Sequence, residues 1–243
     1  MASSPAEHGY APAVDLPAPP RAPSTWSVGL IGDLVGSRRA ASRVELQREL
    51  LAALGAADAV VPGLEPLAPT LGDEFQGRYP DLGTALTAVL VLQLHLGAER
   101  VRFGLGVGDL LVHDPSATPL RQDGPMWWAA RAAVEAVEGG TPRWGARARW
   151  WDATVAAATA TAGPGVAAAV PWANALAAVR DHQVGRLRAR DRRITLAVLA
   201  GDTQAVISAR EGISPSAVSQ RVRIAGARAL RDQVAALRTG AAP

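Results

Sequence analysis

The chain has 243 residues, 49% of them hydrophobic and 19% charged, which suits one large domain or two small ones with buried cores. It contains no cysteine, which excludes disulfides, thiolate metal sites and cysteine nucleophiles. Lysine is absent. From Arg180 onward the chain carries 12 of its 25 arginines but only 5 of its 22 acidic residues, a net charge of +7. The preceding part carries the remaining 13 arginines and 17 acidic residues, a net charge of −4. Such a basic end is typical of nucleic-acid-binding proteins, although basic surface also occurs on proteins that bind no DNA.

The hydropathy pattern predicts a soluble protein. No apolar run reaches the roughly 20 residues that span a bilayer, and the N-terminus lacks a basic flank followed by an apolar segment. We therefore expect a cytoplasmic protein with no membrane partner.

The first elements are predicted from composition and periodicity. Residues 1–25 carry six prolines among alanine and serine, a composition that buries too little apolar surface to fold, so they are predicted to form a disordered tail. The apolar run at residues 26–32 ends at Asp33, as expected of a buried strand. Residues 42–54 follow as a helix, because their apolar side chains share one face behind a capping pattern formed by Ser42 and Glu45.

A hairpin and three further elements complete the first domain. Residues 67–71 and 75–79 flank the polar triplet 72–74, which predicts a hairpin. Apolar patterning then predicts a helix over 81–96, a glycine-spaced strand over 100–112 that another backbone or a ligand approaches closely, and a helix over 124–138. The order strand, helix, hairpin, helix, strand, helix is that of a ferredoxin-like α+β sheet. We assign this domain to residues 26–160.

The rest of the chain is predicted to be helical. Two helices are expected over residues 167–181 and 184–200. We assign residues 161–185 to a helical linker and residues 186–238 to an all-α, DNA-binding domain.

Residues 203–223 meet the requirements of a helix-turn-helix: a short helix, a tight turn with glycine, and a second helix that packs steeply on the first. Thr203 caps the first helix, Gly212 takes the turn, and Ser214 and Pro215 begin the second helix. Side chains that bond base edges and phosphates are expected on the exposed face of the second helix and at its cap: Ser214, Ser216, Ser219, Gln220 and Arg223. Five arginines just upstream are candidate phosphate contacts: Arg186, Arg188, Arg190, Arg192 and Arg193. The alternative is a helical hairpin used only for protein contacts.

Two aspartates are candidates for a metal site. Asp33 ends a predicted strand and Asp73 lies in the predicted hairpin turn, and these strands are neighbours in a ferredoxin-like sheet. Their carboxylates would then suit Mg²⁺ and, through it, a nucleotide phosphate. Glycines at 36 and 72 leave the backbone open to close approach. The alternative is that both aspartates only cap turns.

Several motifs in order resemble the SatD family of bacterial proteins. They are residues 32–38 (GDLVGSR), 70–76 (TLGDEFQ), 103–109 (FGLGVGD) and 123–125 (DGP), and residues 212–214 and 217–221 are similar to the helix-turn-helix of that family. The resemblance runs from about Val28 to about Leu230. It implies a fold, and no established biochemical activity comes with it.

At greater distance the first domain resembles the catalytic domain of class III nucleotide cyclases and the GGDEF domain. Residues 33–36 (DLVG) are similar to the cyclase strand end and residues 72–73 (GD) to the cyclase hairpin. The resemblance implies that Asp33 and Asp73 bind Mg²⁺. It also implies a nucleotide site that includes Gly36, Arg38, Gly72 and Arg131.

Two positions depart from the cyclase pattern. Trp127 stands where cyclases carry an asparagine that steadies the transition state, and Pro69 stands where they carry a purine-selecting lysine. Losing a group that acts on developing charge typically costs orders of magnitude in rate, so the resemblance implies a nucleotide sensor rather than an enzyme. If activity remains, Arg131 is the catalytic candidate.

The sequence thus predicts a DNA-binding transcriptional regulator with a nucleotide-sensing domain. A homodimer is expected, because cyclase sheets pair across their faces and helix-turn-helix proteins commonly read two half-sites. The alternative is an active nucleotide cyclase or related phosphotransferase with the helix-turn-helix as a targeting module. A scaffold that binds neither nucleotide nor DNA is the third possibility.

Overall fold

The computed structural model describes residues 26–70, 72–114, 121–139 and 164–239. The predicted tail, residues 1–25, lies outside the described residues. The strands are β1 (Ser27–Leu34), β2 (Glu65–Pro69), β3 (Glu74–Tyr79), β4 (Val101–Gly108), β5 (Leu111–Asp114) and β6 (Arg121–Asp123). The helices are α1 (Arg43–Val60), α2 (Leu82–Leu96), α3 (Pro125–Gly139), α4 (Pro164–Gly185), α5 (Ala189–Leu199), α6 (Gln204–Glu211), α7 (Pro215–Ala225) and α8 (Ala227–Thr239). Short 3₁₀ turns lie at Ser37–Arg39 and Ala98–Arg100.

The fold is α+β, as predicted, and is organised around a four-stranded antiparallel sheet. The strand order is β2-β3-β1-β4, so β1 lies in the interior of the sheet between β3 and β4. β5 and β6 form a separate two-stranded sheet. Among the described residues, no helix is both long and apolar enough to cross a membrane.

The two faces of the four-stranded sheet are covered by different helices. Alternate residues of β1, such as Leu30 and Leu34, pack in the core shared with α1 and α2, whereas Ile31 packs with α3. α3 lies directly on β4, because a Cβ at Gly104 would come 2.2 Å from a backbone oxygen of α3 and one at Gly106 would come 2.1 Å from another. The close approach predicted for the glycine-spaced strand is therefore made by the backbone of α3.

Several predicted elements have different bounds in the structure. The helix expected over 42–54 continues to Val60, and the strand expected over 67–71 is Glu65–Pro69. The strand expected over 100–112 stops at Gly108, and the backbone oxygen of the next residue, Asp109, accepts from Met126 N at 3.3 Å. Residues 111–114 then pair with β6, which the sequence pattern did not predict. The two helices expected over 167–181 and 184–200 are instead α4, which continues to Gly185, and α5, which begins at Ala189. Val184 is buried in the last turn of α4, so it is part of the apolar side of α4 and does not begin α5.

Helix α2 is apolar on all sides, and eleven of its 15 residues are buried. One side belongs to the sheet core, and Leu90 and Leu94 on the other side pack with Val184 of α4 and Leu230 of α8. At its N-terminal end a Cβ at Gly83 would lie 2.5 Å from a backbone oxygen of α8. A helix that is hydrophobic all round is buried on all sides, and here α2 joins the sheet to the C-terminal helices.

A buried polar cluster lies where α4 packs on α2. Arg180 and Asp181 are 1% and 4% exposed, and Gln93 of α2 is 2% exposed. Arg180 Nη1 donates to the backbone oxygen of Leu86 at 2.7 Å, and Gln93 Nε2 donates to Asp181 Oδ1 at 2.6 Å. These hydrogen bonds fasten α4 to α2.

Candidate functional site

The sheet register brings charged side chains together where β1 ends. Asp33 lies opposite Glu74 of β3 on one side and opposite Arg102 of β4 on the other. The backbone N–H of Leu34 donates to the Asp73 carbonyl at 3.2 Å, so the end of β1 touches the turn before β3. The strand end and the hairpin turn singled out from the sequence are therefore neighbours.

Each of these charged groups has a partner. Arg102 Nη2 lies 3.0 Å from Asp33 Oδ2, and both side chains are mostly buried. The Asp73 carboxylate accepts a hydrogen bond from the Ser37 hydroxyl. Arg131 of α3 makes a bidentate hydrogen-bonded contact with the Glu74 carboxylate, with Nη2 2.8 Å from Oε1. The hydrogen bond from Arg131 lowers the pKa of the Glu74 carboxyl and, in return, raises the pKa of Arg131.

A cavity of about 440 Å³ opens between these groups, within the size range of small-molecule sites. Its walls include four of the residues predicted from the sequence: Asp33, Gly36, Asp73 and Arg131. Gly72 adjoins Asp73 with φ +73° but does not line the cavity. The backbone of Arg38 lies in the 3₁₀ turn that borders it, and its side chain lies outside the described part of the chain.

Sequence reasoning missed five polar or charged side chains in the cavity wall: Ser37, Arg39, Glu74, Arg102 and Glu135. Ser37 and Glu74 lie within the quoted motifs, so their position next to the aspartates was a usable signal. Arg131 and Glu135 are four residues apart on α3 and therefore share a helical face. Arg102 gave no signal, because its place beside Asp33 depends on how β4 pairs with β1.

The carboxylates of the cavity suit a metal only together with a ligand that supplies further oxygen atoms. In the described ranges, no group of three or more histidine, aspartate or glutamate side chains is arranged to hold a metal. Mg²⁺ is commonly bound by one or two carboxylates together with substrate phosphates and waters. Asp33 and Asp73 would fit that pattern if a phosphate and water supplied the remaining oxygens, while Arg102 already offsets part of the Asp33 charge.

The C-terminal helices α6 and α7 are joined by the predicted turn. Thr203 Oγ1 accepts from Val206 N at 3.4 Å, and Ser214 Oγ accepts from Ala217 N at 3.2 Å, so both predicted N-caps are formed. Gly212 adopts φ +63° and ψ +38°, the left-handed conformation that favours glycine. The Ser208 hydroxyl donates to the backbone oxygen of Ile213 and closes the turn.

One side of α7 is fixed to α5. Val218 and Val222 of α7 pack with Ile194 of α5 in a small apolar core. Arg221 Nη1 lies 3.2 Å from Asp191 Oδ1, and the Asp191 side chain is only 8% exposed. α7 is therefore held by both apolar and charged contacts on this side.

The opposite side of α7 faces solvent. The five residues predicted to contact DNA are all exposed: Ser214, Ser216, Ser219, Gln220 and Arg223. Ser219 Oγ donates to Gln204 Oε1 at 3.0 Å, which connects this surface to the start of α6. The predicted residues thus form one exposed polar surface on α7 and its cap.

Residues 27–142 match the model of the SatD family. The chain is therefore a SatD family protein over residues 27–142. The match covers β1 to α3, and therefore all the residues that line the cavity, whereas α4 to α8 lie beyond it. No curated protein matches the chain.

In this SatD family protein, the two positions that depart from the cyclase pattern lie outside the cavity wall. Trp127 is 8% exposed, and its ring lies over β1, where a Cβ on Gly29 would be 3.0 Å from Cε3. Pro69 pairs with Phe75 on the edge strand β2. Neither residue supplies a polar group to the cavity.

Two of the five arginines proposed from the sequence as phosphate contacts are paired with the same carboxylate of the SatD family protein, that of Glu211. Arg193 of α5 makes two hydrogen bonds, of 2.9 and 2.7 Å, to Glu211 at the end of α6, and Arg190 Nε lies 3.5 Å from the same carboxylate. The hydrogen bond from Arg193 lowers the pKa of Glu211. Arg192 donates to the backbone oxygen of Leu187. Arg190 and Arg193 therefore join α5 to α6.

Proposed function

We propose that this SatD family protein is a DNA-binding transcriptional regulator whose N-terminal domain senses a nucleotide with Mg²⁺. In this proposal β1 to β4 with α1 and α2 form a ferredoxin-like, cyclase-related domain, which the element order and the strand order β2-β3-β1-β4 support. The helices α5 to α7 form a helix-turn-helix, with α7 as the recognition helix.

The observation that carries the DNA-binding proposal is the asymmetry of α7. Its inner side is fixed to α5, and its outer side presents serine, glutamine and arginine side chains to solvent. These residue types bond base edges and phosphates. A helix held in this way can enter the major groove without changing its packing. The charge of +7 from Arg180 onward adds a sequence-independent attraction to DNA.

The regulator is proposed to act in the cytoplasm as a homodimer, since helix-turn-helix proteins commonly read two half-sites about one DNA turn apart. Sedimentation of the free protein and of its complex with DNA tests this stoichiometry. One protomer per duplex at saturation would contradict the dimer.

DNA binding is tested by titrating the full chain against duplex DNA at several salt concentrations. The logarithm of the binding constant should fall linearly with the logarithm of salt concentration. Arg223→Ala should weaken binding and reduce the magnitude of that slope by about 1 if the side chain contacts one phosphate. Arg48→Ala is the matched control, because it removes the same charge from an exposed position on α1. Absence of salt-dependent binding by the wild type would contradict the DNA-binding proposal.

The cavity beside Asp33 and Asp73 supports the nucleotide-sensing part of the proposal. Carboxylates suited to Mg²⁺ and arginines suited to phosphate line the same space. Calorimetric titration with nucleoside triphosphates in the presence and absence of Mg²⁺ measures this binding. Asp73→Asn should weaken the Mg²⁺-dependent part, and Asp232→Asn, an exposed position on α8, should not.

A sensor is favoured over the alternative, an active nucleotide cyclase or phosphotransferase, by the buried Trp127. An indole packed over β1 offers no hydrogen bond to charge that develops in the cavity. Incubation with each nucleoside triphosphate and Mg²⁺ or Mn²⁺ separates the two functions. A cyclic nucleotide product that disappears in Asp33→Ala would overturn the sensor.

A further inference from the structure

A second, smaller cavity lies next to the charged one. It has a volume of about 190 Å³ and shares four wall residues with the larger cavity, Leu34, Gly36, Ser37 and Arg39. The two cavities are therefore adjacent across the turn that follows β1. A ligand that occupied both cavities would lie across this turn.

The chemistry of the smaller cavity differs from that of the larger one. Apolar side chains form much of its wall: Leu34, Val35, Ala40 and Leu46. The larger cavity is instead surrounded by four carboxylates and three arginines. A ligand that fits both has a charged end and an apolar end.

Arg100 lines the smaller cavity, and its guanidinium group is held in a fixed position. Its Nη1 and Nη2 atoms lie 2.6 and 2.8 Å from the two carboxylate oxygens of Glu49, and Nη1 also donates to the backbone oxygen of Leu96 at 3.3 Å. These contacts engage the edge of the guanidinium group and fix its plane. A guanidinium plane is a surface on which aromatic rings and nucleobases stack.

The turn between the cavities leaves room for the ligand. Gly36 has φ +73°, and a Cβ built there would have no atom within 4 Å, so the space beside its backbone is open. Arg39 is exposed and lines both cavities. Arg39 is therefore adjacent to both ends of a ligand that spans the two cavities.

We propose that the smaller cavity receives the base of a nucleotide whose phosphates occupy the larger one. This inference rests on the proposed nucleotide-sensing function and specifies how the ligand lies: the base between Leu46 and the Arg100 plane, the phosphates toward Asp33 and Asp73. The wall of the smaller cavity contacts a base chiefly by stacking and by apolar side chains. Discrimination among the four bases is accordingly weak, and discrimination against phosphates without a base is strong.

The experiment compares ATP and GTP with inorganic tripolyphosphate, all with Mg²⁺, by calorimetric titration of the full chain. The nucleotides should bind about 5- to 150-fold more tightly than tripolyphosphate, the range expected for stacking one base. Ala40→Phe fills the smaller cavity and should remove this advantage without changing tripolyphosphate binding. Ala41→Phe is the matched control, because Ala41 is exposed and lies outside both cavity walls.

The outcomes separate this inference from the proposed function. Equal affinities of the wild type for nucleotides and tripolyphosphate would overturn the base site while leaving a phosphate site in place. The base site is also wrong if Ala40→Phe leaves nucleotide binding intact, or if it weakens tripolyphosphate binding to the same degree. Binding of none of the three ligands would overturn nucleotide sensing and the base site together. The far-ultraviolet circular dichroism spectrum of Ala40→Phe shows whether the variant is folded, and the wild-type comparison of nucleotides with tripolyphosphate decides the base site if it is not.

Discussion

Asp181 is expected to make the stability of the protein fall as the pH rises from 4 to 7. Its carboxylate is buried between α4 and α2 and accepts a hydrogen bond from Gln93. Across the described residues, Asp181 Oδ2 and Gln93 Oε1 have no hydrogen-bond partner. A proton on Asp181 would lessen the cost of burying the charge and supply a donor to this pair of acceptors. Arg180 is the charged group that opposes protonation.

The size of the effect follows from the pKa of Asp181. Burial raises this pKa from 3.8 to about 6, against the opposing influence of Arg180 and the Gln93 hydrogen bond. Because the folded protein binds the proton more tightly than the unfolded chain, this contribution to stability is complete below pH 3.8 and is lost as the pH rises through about 6. At 1.36 kcal/mol per pKa unit, the loss is about 3 kcal/mol.

Asp181→Asn isolates this contribution, because an amide resembles the neutral carboxyl and can donate to Gln93. Urea unfolding should find the variant more stable than the wild type at pH 8, by up to about 3 kcal/mol, with a smaller difference at pH 5. Asp202→Asn is the control: it breaks an exposed pair with Arg210, which is worth less than about 1 kcal/mol. If Asp181→Asn is equally destabilising at both pH values, the Asp181 carboxylate is stabilised by Arg180 and the reasoning is refuted.

Three further substitutions test the sheet packing, the turn and the cavity. Gly104→Ala should lower the free energy of unfolding by about 3 kcal/mol or more, because its Cβ would meet the backbone of α3. Gly55→Ala, which has open space on α1, should instead raise the free energy of unfolding by about 0.5–1 kcal/mol. Equal effects of the two substitutions would contradict the packing of α3 on β4. Gly212→Ala should cost about 1–2 kcal/mol in thermal unfolding, since its φ is +63°, and an unchanged Tm would count against the left-handed turn. Arg131→Ala should raise the pKa of Glu74, measured by NMR titration, because the Arg131 hydrogen bond is the main cause of its lowering; an unchanged pKa would show that the pair does not persist in solution.

The caps could be predicted from the sequence because they depend on neighbouring residues. Ser42, Thr203 and Ser214 each accept a hydrogen bond from the backbone N–H three residues further on. Such contacts need only the local chain conformation. Gly212 was predictable for the same reason, since the turn itself requires its left-handed conformation.

The pairing of Asp33 with Arg102 could not be predicted in the same way. It depends on the register between β1 and β4, which are separated by a hairpin and two helices. A shift of one residue would turn Arg102 to the other face of the sheet. The sequence therefore indicated the two aspartates as a site, but it did not reveal that a guanidinium shares their surroundings.

The predicted division into a sheet domain, a helical linker and a DNA-binding domain stays a prediction, and it was made without knowledge of how α2 packs. Residues 85–92 are apolar at seven of eight positions, and a helix of that kind needs partners on all sides. In the structure those partners are the sheet on one side and α4, α5 and α8 on the other. Periodicity within one segment predicts that a helix is buried, but it cannot say which distant segment covers it.

This arrangement bears on how a nucleotide could influence DNA binding in the proposed regulator. A ligand shifts a conformational equilibrium only when it binds one state better than the other. Phosphates that engage Arg131 would compete with Glu74 and so alter the contact between α3 and β3. The sheet is backed by α2, which is packed against α8 and hydrogen-bonded to α4, and Gln183 of α4 donates to the backbone oxygen of Ala225 at the end of α7. A contiguous set of packed elements therefore connects the cavity to the proposed recognition helix, and communication between them requires no flexible linker.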